Sequence, residues 1–129
     1  ILIRQFRPPT KNYVMEFPAG LVDHGEDIET TAKRELLEET GFYGEIEKKS
    51  PELFSSPGII SEKIFYVFLS VDEKNPKNQM PVTKQEPGEF ITVFPKLTKE
   101  IKGFFKEQAN QGVLFDAKLY IFFWSQGIL

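Results

Sequence analysis

GLVDHGEDIETTAKRELLEETGF, residues 20–42, carries more chemical information than any other stretch of this 129-residue chain. Ala32, Leu36 and Leu37 form an apolar stripe at i, i+4 and i+5, the spacing of one helix face. Asp27 is a residue type that caps helix starts, and Gly41 one that follows helix ends, so the pattern predicts a helix over Ile28–Thr40. Glu29 adds negative charge to the first turn, where the helix dipole favours it. Residues three and four apart are neighbours on a helix, which gathers the carboxylates of Glu35, Glu38 and Glu39 on one side. They lie near the negative end of the dipole, where three like charges repel unless a cation compensates them. Clustered hard oxygen ligands suit Mg²⁺ or Mn²⁺ and not zinc. Arg34 is placed to hold one carboxylate by a bidentate contact.

A glutamate run alone more often marks the wet face of a helix. Here the wider spacing decides otherwise. The stretch reads as a glycine, five residues, a glutamate, seven residues, then Arg-Glu-apolar-x-Glu-Glu-x-Gly-apolar, with Gly20, Glu26, Arg34, Glu35, Leu36, Glu38, Glu39, Gly41 and Phe42 at the specified positions. From average residue usage, a chance match is on the order of 10⁻⁹ to 10⁻¹⁰ per starting position, which removes the wet-face reading. The pattern resembles the Nudix box, and further segments resemble the ADP-ribose and ADP-sugar pyrophosphatases within that superfamily. Gln5-Phe6-Arg7-Pro8-Pro9 is similar to a Gln-aromatic-Arg-x-Pro stretch, and Glu16-Phe17-Pro18-Ala19-Gly20 to the Glu-apolar-Pro-Ala-Gly segment leading into the box. Ser56-Pro57-Gly58 sets a proline fifteen residues beyond Phe42, the mark of the ADP-ribose enzymes, with Glu62 following. Gly88-Glu89-Phe90 is similar to the loop-to-strand segment that carries a further catalytic glutamate.

The resemblance implies an α+β fold, the Nudix α/β/α sandwich with a mixed sheet flanked by helices, with residues 1–129 as one Nudix hydrolase domain. It implies Glu35 and Glu39 as main metal ligands, Glu38 as either a further ligand or a group supporting the ligands, and the Ala19 backbone carbonyl completing the site. The catalytic set is Glu35, Glu38, Glu39, Glu89 and Arg34, with Glu89 contacting or orienting the attacking water. Arg7, Glu16, Pro57, Gly58 and Glu62 are the substrate-binding candidates, Arg7 at the phosphates and Glu16 near the nucleotide or ribose. The implied cofactor is Mg²⁺, with Mn²⁺ as a substitute, and ADP-ribose would yield AMP and ribose 5-phosphate. Because Ile1 already lies in the first strand of the motif, the resemblance implies an upstream N-terminal β-domain through which such enzymes form homodimers. Ser56 stands where some relatives carry a substrate-contacting acid, which leaves the preferred sugar open. Two alternatives stay in view: hydrolysis of another nucleoside diphosphate-sugar or an oxidised nucleotide, and a non-catalytic nucleotide-binding sensor.

Composition bounds the rest. The net charge of −3 argues against a nucleic-acid partner, and no apolar run approaches a membrane span. With no cysteine there is neither disulfide nor thiolate zinc, which fits a reducing compartment; a cytoplasmic location, extending to the nucleus, is expected. Thirteen phenylalanines supply much of the core. Ile1–Phe6 and Tyr13–Phe17 read as strands around a Pro-containing turn, Glu52–Ser55 as a short strand, and Ile64–Val71 and Phe90–Phe94 as further strands. Asp72–Gly88 reads as a long polar loop, either a lid or a tolerated insertion. Thr98 is the expected cap of a helix reaching about Gln111, and Asp116 that of a last helix facing inward with Leu119, Tyr120, Phe123 and Trp124. Trp124 is expected in the core or at an interface rather than on an adenine, and His24, the only histidine, on the surface. The expected order is β-β-α-β-β-β-α-α.

Overall fold

Alternation in Leu2–Arg7 and Asn12–Glu16 makes a two-faced antiparallel hairpin, β1 and β2, in the computed structural model, which describes residues 1–129. Pro8–Thr10 forms the short 3₁₀ turn between them, closed by Lys11 at φ 52°. One face of the hairpin points Leu2 and Met15 into a core built with Ile101, Phe104, Phe105, Val113, Leu119 and Phe123. Ile3 and Val14, on the opposite face, are buried as well. The hairpin sits in a mixed four-stranded sheet of order β7-β1-β2-β8: Thr92–Phe94 (β7) pairs antiparallel with β1, and Leu114–Phe115 (β8) parallel with β2.

The chain divides into two compact units, Ile1–Pro18 with Gln85–Leu129, and Ala19–Lys84. The first unit holds that sheet together with helices Ile101–Asn110 (α2) and Ala117–Ser125 (α3). Asp116 caps α3 as expected, accepting from the Lys118 and Leu119 N–H groups. Arg4 ties β1 to α2: its Nη1 donates to Gln108 Oε1 at 3.1 Å, and its guanidinium lies 5.5 and 5.3 Å from the Tyr13 and Phe94 ring centres. The second unit holds the first helix, Ile28–Thr40 (α1), and two antiparallel pairs: Glu45–Lys49 (β3) with Val67–Ser70 (β6), and Leu53–Phe54 (β4) with Lys63–Ile64 (β5).

The α+β character and mixed sheet match expectation, and α1 ends at the predicted residues. Other details differ. The predicted strand Ile64–Val71 is two strands, β5 and β6, with different partners; between them the Tyr66 N–H donates to Ser50 Oγ and its carbonyl accepts the Ser50 N–H. Strand β3 was not expected, since Glu-Ile-Glu-Lys-Lys offers one apolar side chain and forms by pairing with β6. Nor was β8, whose two residues are a strand only because β2 lies beside them. Thr98 does not cap α2. Residues 98–100 form a 3₁₀ turn, and the Glu100 carboxylate accepts the Leu97 N–H instead. Trp124 is 60% exposed and outside the core, because α3 turns Leu119 and Phe123 inward. Tyr120 is likewise exposed, and so is His24, as expected. Phe90 lies outside β7 and is exposed.

Candidate active site

Helix α1 starts where Asp27 accepts the Thr30 N–H at 2.8 Å, and ends where Gly41, at φ 77°, donates to the Leu37 carbonyl at 2.8 Å. Only a residue free to adopt the left-handed region closes the helix this way. That frame sets the phase of the acidic side chains. Leu36, Glu39 and Thr40 are buried, while Arg34, Glu35 and Glu38 are partly open.

Arg34 is the centre of the polar arrangement. Its Nε and Nη2 each donate to the Glu26 carboxylate, at 3.0 Å to the nearer oxygen, and Nη2 also reaches the Leu21 carbonyl at 3.0 Å. Its Nη1 donates to Glu35 Oε1 at 2.8 Å and to Glu38 Oε2 at 2.9 Å. Three carboxylates thus share one planar fork, a geometry an ammonium group could not supply. Hydrogen bonds from Arg34, and then from the Thr31 hydroxyl at 2.7 Å, hold the Glu26 carboxyl down at about 2. The same contacts, led by those to Glu26, hold Arg34 well above its ordinary range. The sequence assigned Arg34 one carboxylate; it braces three.

The two glycines of the pattern have steric roles. A Cβ on Gly20 would lie 1.9 Å from Glu35 Cδ, so the Glu35 carboxylate occupies the space a side chain would need. A Cβ on Gly41 would lie 2.5 Å from the Val82 backbone nitrogen. Glu39, only 2% exposed, accepts the Ala19 N–H at 2.9 Å. A buried carboxylate is tolerable only with such partners.

For a divalent cation the donor set fits in kind, because every candidate ligand is a hard oxygen. Glu35 and Glu38 already converge on one positive nitrogen, Arg34 Nη1. Glu39 is turned to Ala19, and no three acidic side chains surround a single point.

The remaining sequence-predicted residues fall in separate places. Within the first unit, Arg7 and Glu16 pair with each other: Arg7 Nε donates to Glu16 Oε1 at 2.8 Å and Nη2 to Oε2, a bidentate contact with Glu16 buried. Glu89, also in that unit, accepts the Glu86 N–H at 2.9 Å in a turn of the chain. Within the second unit, Pro57, Gly58 and Glu62 share the exposed loop joining β4 to β5, where Glu62 accepts the Ser55 hydroxyl at 2.7 Å. Sequence reasoning named Glu26 only as a position in the pattern, although its fixed distance from Arg34 signalled a partner. It missed Asn78, buried at 6% exposure within the long polar loop, which nothing in the local sequence distinguishes.

The fold and the braced carboxylates define a member of one superfamily, and the comparison agrees: residues 1–112 match the NUDIX domain family, and the chain belongs to it. It is 43% identical over its full length to an ADP-ribose pyrophosphatase of Saccharomyces cerevisiae, covering 55% of that protein. It is 38% identical to an ADP-sugar pyrophosphatase of Mus musculus, over 95% of this chain and 56% of the relative. It is also 30% identical to a GDP-mannose pyrophosphatase of Cronobacter sakazakii, over 92% of this chain and 61% of the relative. The chain therefore spans little more than half the length of these relatives. No helix is long and apolar enough to cross a membrane.

Proposed function

We propose that this chain, acting as one Nudix domain, hydrolyses the pyrophosphate of ADP-ribose and related ADP-sugars to AMP and a sugar phosphate. The observation that carries the reading is the Arg34-braced set of Glu26, Glu35 and Glu38 beside the buried Glu39, an oxygen-rich acidic cluster in which Arg34 joins carboxylates of α1 to Glu26 of the loop before it. The names of the yeast and mouse relatives support the substrate class. Glu35 and Glu39 would hold Mg²⁺, with Mn²⁺ able to replace it, aided by Glu38 and the Ala19 carbonyl. The bound ion supplies charge neutralisation for the pyrophosphate and a water of lowered pKa.

The protein groups do the rest. Arg7, already oriented by its two bonds to Glu16, meets substrate phosphate, and Glu16 lies at the nucleotide or ribose. Pro57, Gly58 and Glu62 line the substrate from the exposed loop between β4 and β5. Glu89 contacts or orients the attacking water, and a glutamate of the site accepts its proton. Water adds in line to one phosphorus, the bridging P–O bond breaks, and the leaving phosphate takes the electron pair. Arg34 keeps the carboxylates in place through the charge change, an electrostatic contribution made before the substrate arrives. The proposal extends to a homodimer, a cytoplasmic location, and no nucleic-acid or membrane partner.

Product analysis tests it. Protein with Mg²⁺ is offered ADP-ribose, ADP-glucose, UDP-glucose, GDP-mannose and 8-oxo-dGTP. AMP with ribose 5-phosphate from ADP-ribose, well ahead of the others, is the expected result. Preferred cleavage of GDP-mannose or UDP-glucose would move the substrate class toward the bacterial relative. Tight ADP-ribose binding without turnover would replace the enzyme with a sensor.

A further inference from the structure

On sequence grounds Asp72–Gly88 would be a lid or a tolerated insertion, yet residues 72–84 of it are fastened to the last turn of α1 and to Tyr43 just beyond it. The Lys84 N–H donates to the Glu38 carbonyl at 2.8 Å, satisfying one of the carbonyls that a helix end leaves without a partner. The Asn78 side chain accepts the Tyr43 N–H at 2.7 Å and donates to the Tyr43 and Asp72 carbonyls, each at 3.0 Å. Lys77 Nζ lies 4.8 Å from the centre of the Tyr43 ring. Between these points the Pro81–Val82 backbone runs so close to Gly41 that a Cβ there would be 2.5 to 2.9 Å from it. Residues Glu38 and Glu39 belong to the turn so clasped.

We infer that residues 72–84 form a strap that sets the position of the carboxylate-bearing last turn of α1, with Asn78 as its positioning residue. The inference rests on the metal-site reading above and adds to it the means by which the ligand turn is held. Asn78 uses its buried amide entirely on backbone groups, so its loss frees the strap at Tyr43 and removes the part-buried bonds to the Tyr43 and Asp72 carbonyls. The Lys84 contact acts through its amide, not its side chain, and this separates the strap from any charge effect.

The test is Mn²⁺ binding to the protein alone, followed by electron paramagnetic resonance, beside thermal melting. Asn78→Ala and Lys84→Pro are expected to raise the Mn²⁺ Kd about tenfold, the scale on which loss of a group supporting a ligand acts. Lys84→Ala retains the amide and is expected to bind as the wild type does. Asp116→Ala, which uncaps α3 in the other unit, controls for general loss of stability and is expected to leave the Kd unchanged. Should Asn78→Ala fail to fold, Lys84→Pro carries the test. Wild-type Kd values in Asn78→Ala and Lys84→Pro, with lowered melting temperatures, would overturn the strap and leave the metal reading standing. Absence of saturable Mn²⁺ binding in the wild type would overturn both.

Discussion

Gly20 and Arg34 show how single residues build the acidic cluster. The Glu35 carboxylate rests where a Gly20 side chain would be, and Arg34 Nη1 holds that carboxylate together with Glu38. Gly20→Ala would put a methyl group 1.9 Å from Glu35 Cδ and push the carboxylate aside. Because a displacement of about 1 Å at a reacting centre costs roughly 10²-fold, kcat/KM should fall by about that factor. Gly20 is exposed, so the melting temperature should change little. Steady-state kinetics with a melting curve check both halves; a normal rate would mean that Glu35 need not stand where it does. The glycine was legible as a fixed position in the sequence. Its reason was not, because the clash involves a side chain fifteen residues away that only the fold brings near.

Helix α1 was legible end to end because both of its boundaries are chemical: an aspartate that accepts an N–H, and a glycine with positive φ. Strands β3 and β8 were not, since their side chains carry little alternation and pairing alone defines them. Thr98 misled for a related reason: a residue suited to capping stood one turn too early, and Glu100 took the bond. Two predictions belong to this scale. Asp116→Ala should remove the cap of α3 and cost about 1 kcal/mol, read by urea denaturation. Glu26 links α1 to the loop before it through Arg34, and its carboxyl is held down at about 2 from an ordinary 4.5. A carboxyl so depressed contributes stability that is complete above pH 4.5 and is lost as pH falls toward 2. Melting temperatures of the wild type should therefore drop across that window. Glu26→Gln should melt lower at neutral pH and show a shallower acid slope. Parallel slopes for the two proteins would show that Glu26 does not contribute to acid sensitivity.

At the scale of the whole molecule, the family is carried by one helix and the turns at its ends, while the fold is completed by elements the sequence marks weakly. The phenylalanines did predict the aromatic core: Phe104, Phe105 and Phe123 pack there with Leu2 and Met15. The loop between β6 and β7 illustrates the opposite case, for its polar composition concealed the Asn78 clasp and the backbone bond from Lys84 to Glu38. Whether the carboxylates of α1 serve a divalent ion in pyrophosphate hydrolysis is decided by AMP release from ADP-ribose during a Mg²⁺ titration, wild type against Glu39→Gln. Glu39 is buried and bonded to Ala19, and the glutamine variant preserves its shape while removing its charge. Wild-type turnover should saturate with Mg²⁺ and vanish in chelator, and kcat should fall roughly 10³-fold or more in Glu39→Gln. Turnover that survives chelator, or a Glu39→Gln protein that works at the wild-type rate, would contradict that role for the carboxylates.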